Sequence, residues 1–396
     1  MTDFARTQRE IDLEARTQRF VREVVIPYES DPRLTPHGPS AELVRELRAA
    51  AKSAGLLAPQ VAEEWGGYGL DHRETATVLR ASGYSLLGPV AMNCMAPDEG
   101  NMHLLHKVAT HEQQQRFLKP LAAGEVRSAF LMTEPDGGAG SDPDMLSTTA
   151  RRIGDEWVLD GRKWLITGAV GAQFGIVMAR TGERRSTMFL TPMDAPGIRI
   201  ERVLDTLDES MPGGHAVIRL DGLRVPHAMV LGEVDEGFRY AQVRLAPARL
   251  THCMRWWGAA QRAHDIAVDY ACRRKAFGKP LVEHEGVGFA LARNEVDLRQ
   301  TQLLIDWTAW TLDQGSRAST ESSMAKLQCA ETLFAIVDRC MQVLGGLGIT
   351  GDTQVAQIWR EIRPFRIYDG PTEVHLWSLA RRLQRNHAKA QATKPA

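Results

Sequence analysis

A change of texture in the middle of the chain constrains its fold most. From Thr148 to Pro226 the sequence consists of short β-rich runs, among them Phe174-Gly-Ile-Val-Met-Ala, Thr187-Met-Phe-Leu and Ala216-Val-Ile-Arg-Leu. Turn clusters such as Gly154-Asp155 and Asp221-Gly222 separate them, the pattern of a compact β domain. Both flanks read as helix. Before about Val126 helical stretches such as Ala41 to Ala51 and Glu112 to Leu118 are broken by Gly and Pro. After Gly237, Phe289, Val296, Leu303, Trp307 and Trp310 recur at intervals of 7, 7, 4 and 3, which places them on one helix face. Met324, Leu327, Phe334, Val337, Met341 and Leu344 repeat the device, and the stripe Cys253, Trp257, Ala260, Ala263, Ala267, Ala271 permits close helix packing. Long antiparallel helices of this kind predict a bundle, so the chain reads α, then β, then α.

Composition narrows the function classes. At 396 residues and 43% hydrophobic content there is enough chain for two or three domains with real cores. Lys and Arg number 48 against 49 Asp and Glu, which leaves no basic excess for nucleic acid or an anionic membrane, and neither is an expected partner. Asp3, Glu10, Asp12 and Glu14 interrupt the first 25 residues and argue against a secretory signal. No apolar run approaches the roughly 20 residues that span a bilayer, and the expected location is the cytoplasm. Five cysteines (Cys94, Cys253, Cys272, Cys329, Cys340) without a C-x-x-C pair predict buried free thiols rather than disulfides or zinc.

Several motifs carry chemistry, each with a plainer reading beside it. Gly346-Leu-Gly348-Ile-Thr-Gly351 matches the dinucleotide fingerprint, but it follows a helical stretch rather than a strand. A glycine-rich helix end explains it better. His103, His106 and His111 lack carboxylate or thiol companions at metal-ligand spacing, so solvated or capping histidines are expected and no metal. The loop Met132-Thr-Glu-Pro-Asp-Gly-Gly-Ala-Gly-Ser-Asp142 bares backbone N–H groups and two hydroxyls, which suits a ligand or a plain interdomain turn equally. Lys163-Trp164-Leu165-Ile166-Thr167-Gly168 offers a flat ring and a hydroxyl, though Trp in a strand is usually core. In Phe365-Arg-Ile-Tyr368-Asp369-Gly370-Pro-Thr372-Glu373-Val-His375, elementary reasoning makes Asp369 an Asx-turn or N-cap residue, although such a turn can also aim a carboxylate into a cleft.

Taken in order and spacing, these fragments resemble the acyl-CoA dehydrogenase family over nearly the whole chain. His111-Glu-Gln-Gln-Gln-Arg-Phe-Leu is similar to the family's "EEQK-x-x-YL", and Thr133-Glu-Pro with Gly138-Ala-Gly-Ser-Asp142 to "TEPGAGSD". Val225-Pro226 followed by Gly237-Phe238 also matches. Arg274-Lys-Ala-Phe277-Gly-Lys is similar to "RKTFGK", Gln342-Val-Leu-Gly-Gly346 to "QIFGG" and Ile367-Tyr-Asp-Gly370 to "IYEGT". The resemblance implies an N-terminal helical domain over residues 1–127, a central β barrel over 128–236 and a C-terminal four-helix bundle over 237–390.

It also implies FAD as cofactor. Met132, Thr133, Gly138, Gly140 and Ser141, with Trp164, Ile166 and Thr167, would meet the isoalloxazine ring, Thr167 near N5. Arg274 and Phe277 of one subunit, with Gln342, Gly345 and Gly346 of its neighbour, would hold the ADP half, so a homodimer or dimer of dimers is implied. Thr372 and Glu373 fall to the cofactor as well. Ser141, Arg249, Tyr368 and Gly370 would bind the acyl-CoA substrate. Asp369 would be the base, and electrons would pass to an electron-transfer flavoprotein. A polarised thioester carbonyl is needed, because an unassisted α-proton is too weakly acidic for a carboxylate.

This sequence departs from the family pattern in four places. The usual base is Glu, and Asp369 is shorter by one carbon–carbon bond, about 1.5 Å. "DGP-x-EVH" resembles the branch of family members ten and eleven, which carry Asp there and act on long, branched or 4-hydroxylated acyl-CoAs. Asp136-Gly137 enlarge the loop, Leu165 stands where "WIT" has Trp, and Glu285 replaces a common Gln. The bundle-helix position that bears glutamate in another group is Ala248 here. Acyl-CoA oxidases, nitroalkane oxidases and a chemically silent binding protein are the competing readings on the same fold.

Overall fold

The computed structural model describes residues 5–135 and 137–392, so Asp3 and Asp136 lie outside the described residues. The chain forms two compact units, Asp3–Ala248 and Arg249–Ala396.

Local signals start the helices of the first unit. Thr7 caps α1 (Gln8–Phe20) by accepting from the Glu10 N–H while the Glu10 carboxylate accepts from the Thr7 N–H. Ser40 caps α2 (Ala41–Ser53), and Asp71 with Glu74 closes a second capping box on α3 (His72–Ser82). α4 (Asp98–Val108) follows, and the expected helix near Glu112 to Leu118 is a short α-turn running into a π-turn.

An eight-stranded sheet comes next. Its strands are β1 (Ser128–Leu131), β2 (Thr149–Ile153), β3 (Glu156–Thr167), β4 (Phe174–Gly182), β5 (Arg185–Pro192), β6 (Ile198–Leu204), β7 (His215–Pro226) and β8 (Val230–Leu231). The order is β8-β5-β4-β2-β3-β7-β6, with β1 parallel to β4 off this path. β4 is covered on both faces, which explains its unbroken apolar run. Ile176 and Met178 join the helical core around Leu104, Leu118 and Leu121, while Val177 and Ala179 join Trp157, Ile218 and Leu220. Burying each of the larger aliphatic side chains contributes about 1.5–3 kcal/mol.

Two buried ion pairs tie loops to this sheet. Asp98, opening α4, accepts from the N–H and hydroxyl of Ser128 on β1 at 2.8 and 2.7 Å and from Arg48 on α2 at 3.1 Å. Glu134 and Lys163 have wholly buried side chains 2.9 Å apart. Lys163 also donates to the carbonyls of Met132 and Met178, and Glu134 accepts from Ser147 N–H and hydroxyl, Thr148 N–H and Ala139 N–H. Burial alone would raise the Glu134 carboxyl, but the Lys163 charge and these donors hold it at about 2. Burial pulls Lys163 down to about 8 against the opposing Glu134 charge, so the pair is ionised at neutral pH.

The second unit takes α5 (Gly237–Arg273) from Arg249 onward, then α6 (Glu285–Asp313), α7 (Ser319–Leu344), α8 (Val355–Ile362) and α9 (Thr372–Ala392). Ala260, Ala263, Ala267 and Ala271 are fully buried, as the small-residue stripe predicts. The α6 stripe behaves otherwise: Phe289, Val296 and Leu303 are exposed, and the core face carries Leu291, Leu298, Thr301 and Ile305. Among the cysteines, Cys272 is exposed and the other four are buried, correcting the expectation for that thiol. Ser319–Ile349 is long and apolar enough to cross a membrane, contrary to the sequence expectation. Its Ala325, Cys329, Leu333, Ile336 and Cys340 are buried within the unit.

Removing Lys163 leaves the Glu134 charge buried and uncompensated, so Lys163→Met should cost about 3–5 kcal/mol in urea denaturation, and adding Glu134→Gln should recover part of it. Because the Glu134 carboxyl lies below its ordinary value of 4.5, its stabilising contribution is whole above that pH and is lost as pH falls towards about 2. Thermal melts over that window should fall more steeply for the wild type than for Glu134→Gln.

Candidate functional site

In the first unit, β3 carries a bulge near its end. Lys163 pairs with Ile218 and Ile166 with Ala216, so three steps on β3 oppose two on β7. Leu165 takes the left-handed conformation with φ 54°. The extra residue turns Trp164 and Leu165 to solvent at 37% and 41% exposure, whereas Ile166 is buried. Thr133 clasps the bulge from the neighbouring segment: Trp164 N–H donates to its carbonyl at 3.0 Å and its hydroxyl donates to the Trp164 carbonyl at 2.5 Å.

The glycine loop wraps around buried Glu134, whose N–H donates to the Ala139 carbonyl at 2.8 Å. A Cβ on Gly138 would meet the Glu134 side chain at 2.6 Å, so glycine is required there, while Gly140 stands in open space and Ser141 is exposed. Met132 is half-buried beside them. Below the bulge, the Thr167 hydroxyl lies 3.0 Å from His215 Nδ1, and His215 Nε2 lies 2.9 Å from an Asp208 oxygen. An exposed apolar surface, a loop of open backbone and one positioned hydroxyl together fit an aromatic ring with a polar edge.

In the second unit, a turn leads into α9. Asp369 and Gly370 both have positive φ, 54° and 98°. A Cβ on Gly370 would approach His375 Nε2 to 2.8 Å. The turn's carbonyls are held by side chains: Arg249 Nε and His375 Nε2 donate to the Asp369 carbonyl at 3.0 and 3.2 Å, and Lys326 Nζ donates to that of Gly370 at 2.6 Å. Burial, with the charges of Arg249 and Lys326, lowers His375 to about 4, so it is neutral at pH 7. Burial also lowers Lys326 to about 8.

The Asp369 carboxylate faces His252 on α5, with Oδ2 3.3 Å from Nε2. Arg255 approaches the other ring nitrogen at 3.1 Å. A guanidinium only donates, so Nδ1 of the neutral ring accepts and Nε2 carries the hydrogen directed at Asp369. Tyr368 packs its ring 4.8 Å from His252, and its hydroxyl accepts from Trp256 Nε1 at 2.6 Å. Sequence reasoning pointed to Arg249, Tyr368, Asp369 and Gly370, and these do come together. It gave no role to His375, which closes the DGP-x-EVH motif, and passed over His252, Arg255, Trp256 and Lys326, which no local motif marks.

Two further groups lie elsewhere on this unit. Phe277 and Gly278 make a two-residue hairpin turn with φ 51° and 84°, and Phe277 is 97% exposed next to exposed Arg274. Gln342, Gly345 and Gly346 are exposed at the end of α7. Gly345 has φ 59°, and a Cβ on Gly348 would strike the Met341 carbonyl at 2.4 Å, so these glycines end a helix rather than open a nucleotide loop. Thr372 donates to Glu331 at 2.6 Å, and Glu373 is exposed. The described residues hold no group of three or more potential metal ligands. His103 is half-buried rather than solvated, and burial lowers it to about 4.

Comparison with known proteins agrees with this architecture. The family descriptions "Acyl-CoA dehydrogenase, N-terminal domain", "middle domain" and "C-terminal domain" match residues 7–125, 129–213 and 235–384. The chain is 38% identical to "Probable acyl-CoA dehydrogenase FadE2" of Mycobacterium tuberculosis over 96% of both chains. It is 35% identical to acyl-CoA dehydrogenase family member 11 of Gallus gallus over 92% of this chain, and spans about half (49%) of that longer relative. A glutaryl-CoA dehydrogenase from Mycobacterium smegmatis, solved with FADH2, superposes with a TM-score of 0.85 at 25% identity, covering 96% of this chain and 95% of that one. The chain therefore belongs to the acyl-CoA dehydrogenase family of oxidoreductases, whose cofactor is FAD.

Proposed function

We propose that the chain desaturates an acyl-CoA thioester between its α and β carbons, giving the trans-2-enoyl-CoA, with Asp369 as the base. The observation that carries this reading is the Asp369 turn: a carboxylate on a left-handed residue, its backbone carbonyl held by Arg249 and His375, and its oxygen faced by His252. So fixed, the carboxylate lies 3.3 Å from His252 and is placed to take a substrate proton. A polar ring beside the charged form favours that form, so His252 tempers the basicity of Asp369.

Bound FAD would supply the acceptor for the hydride leaving the β-carbon. Trp164, Leu165 and the Gly138–Ser141 loop suit its ring, and the Thr167 hydroxyl suits the ring's polar edge. Ser141 and Tyr368 are assigned to the acyl-CoA. Exposed Phe277 and Arg274, and the exposed Gln342, Gly345 and Gly346, fit contacts completed by a second copy of the chain, and a homodimer or dimer of dimers is part of the reading. Exposed apolar Phe289, Val296 and Leu303 on one face of α6 support it. Electron-transfer flavoprotein is the proposed acceptor. Family member 11 indicates the Asp-bearing branch, and with it longer, branched or hydroxylated acyl chains.

Anaerobic mixing of the FAD-loaded protein with a panel of acyl-CoAs and nitroalkanes should bleach the flavin with a thioester; bleaching by nitroalkanes alone defeats the reading. Asp369→Asn should slow that reduction by about 10²–10⁴-fold, the usual contribution of a positioned base. His252→Leu replaces the polar ring beside the charged carboxylate with an apolar side chain, so the acid limb of kcat/KM should move to higher pH. An unmoved limb would mean that His252 does not act on the base.

A further inference from the structure

Behind Thr167 lies a buried polar pair that the chemistry above leaves unused. Thr167 on β3 and His215 on β7 are cross-strand partners in the sheet, and Asp208 lies in the connection between β6 and β7. Thr167 Oγ1, His215 and Asp208 form a continuous line with contacts of 3.0 and 2.9 Å. His215 and Asp208 are 9% and 8% exposed, so water competes little for these contacts. Thr206 adds a hydroxyl bond to the Asp208 backbone carbonyl at 3.2 Å. Although burial alone would raise the Asp208 carboxyl, its hydrogen bond from His215 helps to keep it below the ordinary carboxylate value.

We infer that Asp208 and His215 are positioning residues that fix which way the Thr167 hydroxyl points, and so bias the bound flavin towards its reduced form. An ionised carboxylate can only accept, so Nε2 of the neutral ring carries the hydrogen and Nδ1 presents a lone pair. Thr167 then donates its one hydrogen to Nδ1, and its oxygen is left as an acceptor. Reduced flavin carries a hydrogen at N5 that such an acceptor satisfies, whereas oxidised N5 needs a donor that Thr167 has already committed. No bond other than hydrogen bonds changes, and no extra proton is required. The inference rests on the proposed placement of the flavin edge at Thr167.

The test is the two-electron midpoint potential of the FAD-loaded protein, read by anaerobic dye-coupled titration, with FAD content measured by absorbance. Asp208→Asn frees the ring to adopt the other tautomer and should shift the oxidised–reduced equilibrium about tenfold towards oxidised flavin, about 30 mV more negative for a two-electron couple. His215→Val removes the acceptor and should shift it the same way, which keeps the inference testable where Asp208→Asn retains no FAD. Asp208→Glu should restore the wild-type potential, and Asp208→Asn should add nothing to Thr167→Val. An unchanged potential in Asp208→Asn beside a shifted Thr167→Val overturns the relay while leaving the flavin placement intact. An upward shift, expected of an imidazolium donating to Thr167, also overturns it. No shift in Thr167→Val with FAD bound overturns both the relay and the placement.

Discussion

The first unit depends on the buried contact between Lys163 and Glu134. Putting two charges where neither meets water costs several kcal/mol, offset only when geometry and remaining hydrogen bonds are complete. Here they are complete: Lys163 spends its three donors on Glu134 and two carbonyls, and Glu134 collects four further donors. That arrangement fixes two things at once. It draws the loop after Met132 around a carboxylate, and it pins Lys163 inward at the start of the β3 bulge. With Lys163 inside and Ile166 inside one position too late for simple alternation, Trp164 and Leu165 must both point outward.

The second unit stores its constraint in the backbone. A non-glycine residue at φ 54° costs of order 1–3 kcal/mol when nothing favours it, and Asp369 persists there because three side chains hold the carbonyls of the turn. Arg249 is partly withdrawn from any role towards phosphate by this contact, since its Nε faces the Asp369 carbonyl. A shorter acid makes such anchoring matter more. A glutamate could search for its substrate with an extra torsion, whereas Asp369 has fewer and must be delivered by its main chain.

Much of the architecture was legible because it rests on local signals. Alternating and helical periods, turn glycines and small-residue stripes report secondary structure and packing faces within a few residues of themselves. The α6 stripe shows the limit: an apolar face declares only that something covers it or that it lies exposed, and Leu291, Leu298 and Ile305 proved to be the buried row. Asp369 illustrates another. A carboxylate before Gly-Pro looks like a helix cap, and its aim at His252 depends on a contact with a helix far away in sequence. The Asp208–His215 contact spans only seven residues and could have been suspected, but its meaning required Thr167, 48 residues distant.

Two histidines in this chain show how a neutral ring acquires a direction. An isolated imidazole donates from one nitrogen and accepts at the other, and exchanges the roles freely. A charged neighbour that can only donate or only accept removes that freedom. Arg255 is a pure donor, so His252 accepts at Nδ1 and turns its hydrogen towards the Asp369 carboxylate. Asp208 is a pure acceptor, so His215 gives up its Nε2 hydrogen and turns a lone pair towards the Thr167 hydroxyl. The same side chain therefore stabilises an anion in one unit and orients a hydroxyl in the other. What decides between these roles is the charge of the residue behind the ring, so exchanging the sign of that charge should matter more than altering the ring's immediate packing.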